Sequence, residues 1–144
     1  MIIADTGAIL AVADATAPEH QACVDVLAGL ERPMLITHMV VAEVDYMLTR
    51  RFGVVAANRF LSDVARGAYT LISGDEQDLE DVITVNARYA DLKLGATDCM
   101  NVVLAARYDT STIFTLDERH FRAIKPLNKA EAFTLLPADR ASRV

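Results

Sequence analysis

Apolar residues along this chain fall into two alternating patterns: short continuous runs, and longer stretches with helical spacing. The run MIIA at residues 1–4 ends at Asp5 and reads as a buried strand. Residues 18–30 read as a helix, with Pro18 near its start and Cys23, Val26, Leu27 and Leu30 on one face. MLIT at 34–37 is a second strand. A helix opens at His38 or Met39 and runs to Arg51, with Val40, Val44, Met47 and Leu48 on its apolar side and Gly53 ending it. Residues 54–66 form a further helix that Gly67 stops, and AYTLI at 68–72 is a third strand. Ser73 and Glu76 have capping-box spacing ahead of a helix carrying Leu79, Val82, Ile83, Asn86 and Tyr89. Thr97 is the expected N-cap of a helix over 98–108, which is apolar nearly all round and therefore buried. STIFT at 111–115 and FTLL at 133–136 complete the strands.

Strands alternating with helices predict an α/β fold with a mainly parallel sheet of four to five strands, as one domain over residues 1–144. Composition agrees with a packed core, since 53% of the 144 residues are hydrophobic. The N-terminal apolar stretch has no basic flank and is interrupted by Asp5 and Asp14, so neither a signal peptide nor a membrane span is expected. The two cysteines, Cys23 and Cys99, read as buried free thiols, which places the chain in a reducing compartment, the cytoplasm.

A net charge of −6 argues by itself against a nucleic-acid partner, but the charge is uneven. From Arg119 to the C-terminus, six basic residues (Arg119, Arg122, Lys125, Lys129, Arg140, Arg143) face two acidic ones. From Asp75 to Asp98, seven acidic residues face only Arg88 and Lys93.

Four acids stand in apolar or cap-like surroundings. Asp5 and Asp117 follow the first and fourth strands, where parallel sheets place their ligand sites. Glu43 interrupts an apolar helix without a basic partner at helical spacing, and Asp98 opens the buried helix. Each has a plain structural alternative: a turn cap for Asp5, an exposed helix position for Glu43, a first-turn acid for Asp98, a cap of the short helix ERHF for Asp117. A buried carboxylate is costly unless paired or bound to metal, and an all-oxygen set suits Mg²⁺ or Mn²⁺. The chain offers no GxSxG, CxxC, zinc spacing or Gly-rich phosphate loop, and its three histidines are scattered.

The segments MIIADTGAILA, THMVVAEVDYML, GATDCMNVVLAARY and TIFTLDERHF resemble, in order and spacing, the PIN-domain ribonucleases, in particular the VapC-type toxins of toxin–antitoxin pairs. The resemblance covers essentially the whole chain. It implies a three-layer α/β/α fold and a quartet of metal-binding catalytic carboxylates at Asp5, Glu43, Asp98 and Asp117. It makes Thr6, Asn101 and Thr115 supporting residues. Many relatives carry an acid near Asn101, so the number of ions, one or two Mg²⁺ or Mn²⁺, stays open. The implied activity is endonucleolytic cleavage of structured RNA (transfer RNA or a ribosomal loop), leaving a 5′-phosphate and a 3′-hydroxyl. Arg119 and His120 are the expected phosphate contacts, against the alternative of a solvated helix turn. A cognate antitoxin and a homodimer are the implied partners, and apolar residues at 40–48 and 54–61 are compatible with a dimer face or with ordinary core.

Rival α/β chemistries fit less well. A phospho-accepting receiver needs an acid pair at the first strand, where Ala4 precedes Asp5, and a lysine after a late strand, where Leu116-Asp117-Glu118-Arg119 stands. A haloacid-dehalogenase-like phosphatase needs a second Asp at Gly7. A catalytically inert PIN-like module that only binds protein is the remaining alternative.

Overall fold

The computed structural model describes residues 1–142, so Arg143 of the basic C-terminal stretch lies outside the described residues. The strands are β1 (Ile3–Ala4), β2 (Met34–Thr37), β3 (Tyr69–Ile72), β4 (Thr112–Phe114) and β5 (Thr134–Leu136). The helices are α1 (Thr6–Ala13), α2 (His20–Ala28), α3 (His38–Phe52), α4 (Val54–Ala65), α5 (Glu76–Arg88), α6 (Ala96–Arg107) and α7 (Glu118–Ala123). The sheet has five strands in the order β3-β2-β1-β4-β5, and every pairing is parallel.

Strand alternation divides the core into two layers. Ile3, Leu35, Ile113 and Leu135 pack with α5, α6 and α7 on one face. Ala4, Met34, Ile36 and Phe114 pack with α1 to α4 on the other. Both faces are covered, so the strands read as unbroken apolar runs rather than alternating ones. The chain progresses from β1 outward through β2 to β3, then returns to the opposite side of β1 with β4. That reversal puts the topological switch point between β1 and β4, and parallel sheets place their ligand sites at the carboxyl ends of the strands beside it.

Four local expectations are corrected. The residues after Asp5 form a helix, α1, that periodicity did not announce. Ala8, Ile9, Leu10 and Ala11 are buried consecutively, so no polar face marks the helical period. The cap of α5 is Asp75 rather than Ser73: its side chain accepts from the Asp78 amide at 3.0 Å, and Asp78 accepts from the Asp75 amide at 2.9 Å. The N-cap of α6 is Gly95, whose φ of +87° favours glycine, and this releases the Thr97 side chain for another role. Val40, Val44 and Leu48 are core residues, so the exposed apolar surface of α3 and α4 is instead Tyr46, Phe52, Val54 and Val55.

Replacing Asp75 by Ala removes half of the reciprocal cap. The expected cost is about 1 kcal/mol of stability, to be read as a lower urea midpoint at constant slope. Cys23 and Cys99 are free and buried as expected. Burial pushes both thiols up to about 11, which leaves neither as a nucleophile at neutral pH. No helix among the described residues is long and apolar enough to cross a membrane.

Candidate functional site

The first acid is fixed by the central strand. The Asp5 amide donates to the Phe114 carbonyl at 2.9 Å, which extends the β1–β4 pairing past the strand end. One carboxylate oxygen accepts from Thr115 Oγ1 at 2.7 Å and the other from Asn101 Nδ2 at 3.1 Å. Asp5 is 5% exposed, and its pKa is nevertheless raised. Desolvation outweighs both the Thr115 bond and the Thr6 amide, and the charges of Asp117 and Glu43 add to it.

Thr115 serves two acids. While its hydroxyl donates to Asp5, its oxygen accepts from the Asp117 amide at 3.0 Å. Asp117 in turn caps α7, accepting from the His120 amide through Oδ1 at 3.0 Å. The capping role considered for Asp117 is therefore real, and it occupies one oxygen while the other remains directed at the His120 ring.

Glu43 departs from the expectation of a buried carboxylate, because it is exposed on the second turn of α3. It is held nonetheless. Thr6 Oγ1 donates to one oxygen at 2.7 Å and Thr97 Oγ1 to the other at 2.9 Å. This clamp joins α1, α3 and α6, and Thr97 is the positioning residue that sequence reading missed. Its place beside Asp98 in GATD was the only available signal, and it was taken for a cap.

Asp98 lies in the first turn of α6, where its side chain is 20% exposed. Its pKa is pushed up to about 7, first by desolvation and then by the charges of Asp5, Asp117 and Glu43, against the opposing pull of His120. Three acids from other parts of the chain therefore act on the Asp98 carboxyl. Asn101, one turn further along α6, is fully buried, and its Oδ1 has no partner among the described residues.

Arg119 is exposed, as a phosphate contact requires, whereas the His120 ring turns inward to the acids. The basic C-terminal stretch is partly neutralised. Arg122 pairs with Glu118 at 2.9 Å and Asp139 at 2.7 Å, and Lys125 lies 3.9 Å from Glu131.

The donor set fits a divalent cation. Mutually repelling carboxylates, an amide oxygen on Asn101 without a hydrogen-bond partner, and ligand atoms of Asp98, Asp117 and His120 within 4.8 Å of one another are what a hard or borderline ion needs.

A small parallel sheet with acids gathered near its switch point defines the class of α/β protein, and comparison with known proteins narrows it. The PIN domain family model matches residues 2–126, and the chain belongs to the PIN domain family. It is 38% identical over 136 residues to Ribonuclease VapC26 of Mycobacterium tuberculosis, covering 94% of this chain and 100% of that protein. Two solved structures share the fold. The sarcin–ricin-loop-cleaving toxin VapC20 of M. tuberculosis has a TM-score of 0.77 at 16% identity, over 82% of this chain and 91% of that one. VapBC2 of Rickettsia felis, bound to a promoter DNA fragment, has a TM-score of 0.67 at 15% identity, over 94% and 98%.

Proposed function

We propose that this chain is a divalent-metal-dependent endoribonuclease and the toxin of a toxin–antitoxin pair, with Asp5, Glu43, Asp98 and Asp117 as its metal-binding carboxylates. The observation that carries this reading is the grouping of Asp98, Asp117 and His120, with ligand atoms within 4.8 Å of one another, and with Asp5 and Glu43 near enough to raise the Asp98 pKa. Kinship with a VapC ribonuclease over nearly the whole chain supports the substrate class. A Mg²⁺ or Mn²⁺ ion bound there supplies an activated water and neutralises charge developing on a phosphodiester.

The protein's own residues do the rest. Thr115 and Asn101 keep the Asp5 carboxylate from rotating, so it meets its ligand without reorganising. Thr6 and Thr97 hold the exposed Glu43 in one rotamer, which an unrestrained glutamate would lose to entropy. Without metal, burial and the three neighbouring acids push the Asp98 carboxyl up to about 7, and a bound cation would hold it deprotonated. Arg119 stands at the rim to bind the substrate phosphate. The RNA would be structured, a transfer RNA or a ribosomal loop, and cleavage would leave a 5′-phosphate and a 3′-hydroxyl. An antitoxin chain would block the site, consistent with the pairing named for VapBC2. A homodimer would cover exposed Tyr46, Phe52, Val54 and Val55.

The test is incubation of purified protein with total RNA and with intact ribosomes, in Mn²⁺, Mg²⁺ or chelator. Discrete cuts that need metal and carry 5′-phosphates are the expected result. No cuts, with no metal binding, would assign the fold to a protein-binding module instead. A finer expectation concerns Thr97→Val, which removes one of the two donors on Glu43. Single-turnover cleavage should slow by about tenfold, the worth of one hydrogen bond to a charged group, with the melting temperature unchanged.

A further inference from the structure

We propose that His120 supplies a nitrogen ligand to the metal centre and tilts its preference towards Mn²⁺ and away from Mg²⁺. The proposal rests on the metal-centre reading above and adds a donor that an all-carboxylate quartet lacks.

The geometry begins with α7. Asp117 fixes the His120 amide through Oδ1, and the adjacent Phe121 is fully buried, so the first turn of α7 is pinned at both points. The imidazole is thereby laid between two acids, with Nδ1 2.7 Å from Asp117 Oδ2 and 3.7 Å from Asp98 Oδ2. Proximity has not produced a hydrogen bond. Nδ1 is shielded from solvent and makes no hydrogen bond, and its close contact with Asp117 is an ion pair only if the ring is protonated. The other two histidines differ, since Nδ1 of His20 lies 2.8 Å from the Ala11 carbonyl and Nδ1 of His38 lies 3.2 Å from that of Ile72.

A second orphan stands at the same site. Asn101 is fully buried and touches Asp5 through its amide nitrogen, while Oδ1 has no partner. Two unpartnered polar atoms beside three carboxylates describe a donor set awaiting a cation, and one of its donors is a nitrogen. Carboxylate and amide oxygens suit Mg²⁺ and Mn²⁺ alike, whereas imidazole favours the transition ion.

The first measurement needs no variant. Mn²⁺-loaded protein grown with ¹⁵N-histidine, compared with unlabelled protein, should show an imidazole nitrogen coupling by pulsed electron paramagnetic resonance. The coupling should persist in His20→Ala and vanish in His120→Ala. In titrations, His120→Ala should weaken Mn²⁺ binding by about tenfold or more and Mg²⁺ binding by roughly threefold or less. Bound Mn²⁺ without nitrogen coupling would overturn the proposal and leave His120 as an ion-pairing neighbour of Asp117, with the metal centre intact. Absence of bound Mn²⁺ in the wild type would overturn this proposal and the metal centre together.

Discussion

Replacing Asp98 by Asn should lower RNA cleavage by about a hundredfold or more, the scale of losing a preorganised electrostatic group, while the metal-free protein should become more stable at pH 8. The two effects have one cause. Asp98 is isosteric with Asn, so packing in the first turn of α6 survives. The charge is what changes, and the metal-free protein holds that charge against burial and against Asp5, Asp117 and Glu43. The sign follows from linkage. The folded pKa of about 7 lies above the unfolded value near 3.8, so the unfolded chain binds fewer protons between these values. Wild-type stability from this group is therefore greatest at low pH, and it falls as pH rises from about 4 to about 7. Asn lacks that loss. The expected gain is about 1–3 kcal/mol at pH 8 and close to none at pH 4. Thermal melts in chelator across this range check it, alongside cleavage assays. Wild-type cleavage by the variant would remove Asp98 from the site. Lost activity with lower stability at every pH would make Asp98 a structural residue.

Saturating Mn²⁺ should raise the stability of the wild type by about 4 kcal/mol at a thousand times its dissociation constant, since only the native state would present the gathered acids. The same titration carries a pH signature. Binding displaces the proton on Asp98, so apparent affinity should fall by about tenfold per pH unit below 7. The groups facing that proton are Asp5, Glu43 and Asp117, which raise its affinity, and His120, which lowers it. Melting curves at pH 6 and pH 8, with Mn²⁺ and with chelator, measure both effects. No stabilisation at either pH would exclude a metal centre built on these acids. Equal stabilisation at both would mean that the ion leaves Asp98 protonated.

Much of this architecture is legible locally. MLIT is the observed β2 residue for residue, and α3 and α4 begin where expected because Thr37 and Gly53 are explicit boundary signals. The misses have a shared origin. The helix α1 has no polar face, so burial on all sides erased its period. Thr97 was read as a cap because a hydroxyl ahead of an apolar helix is the usual cap, whereas here Gly95 makes the turn and the hydroxyl serves Glu43. Glu43 was expected to be buried because its neighbours are apolar, yet its own side chain leaves the core for the clamp.

The chain order therefore carries the alternation of strand and helix and the covering of both sheet faces, and it singles out four acids as candidates. The elements follow from periodicity, which is read within one element. Convergence is a different matter. Asn101 reaches Asp5 across 96 positions, Thr97 reaches Glu43 across 54, and the His120 ring enters between Asp98 and Asp117. Those contacts depend on the order β3-β2-β1-β4-β5 and on which side of the sheet each crossover passes. No local pattern encodes that order. It is settled by the global burial of two apolar faces, and the site forms where their connections reverse.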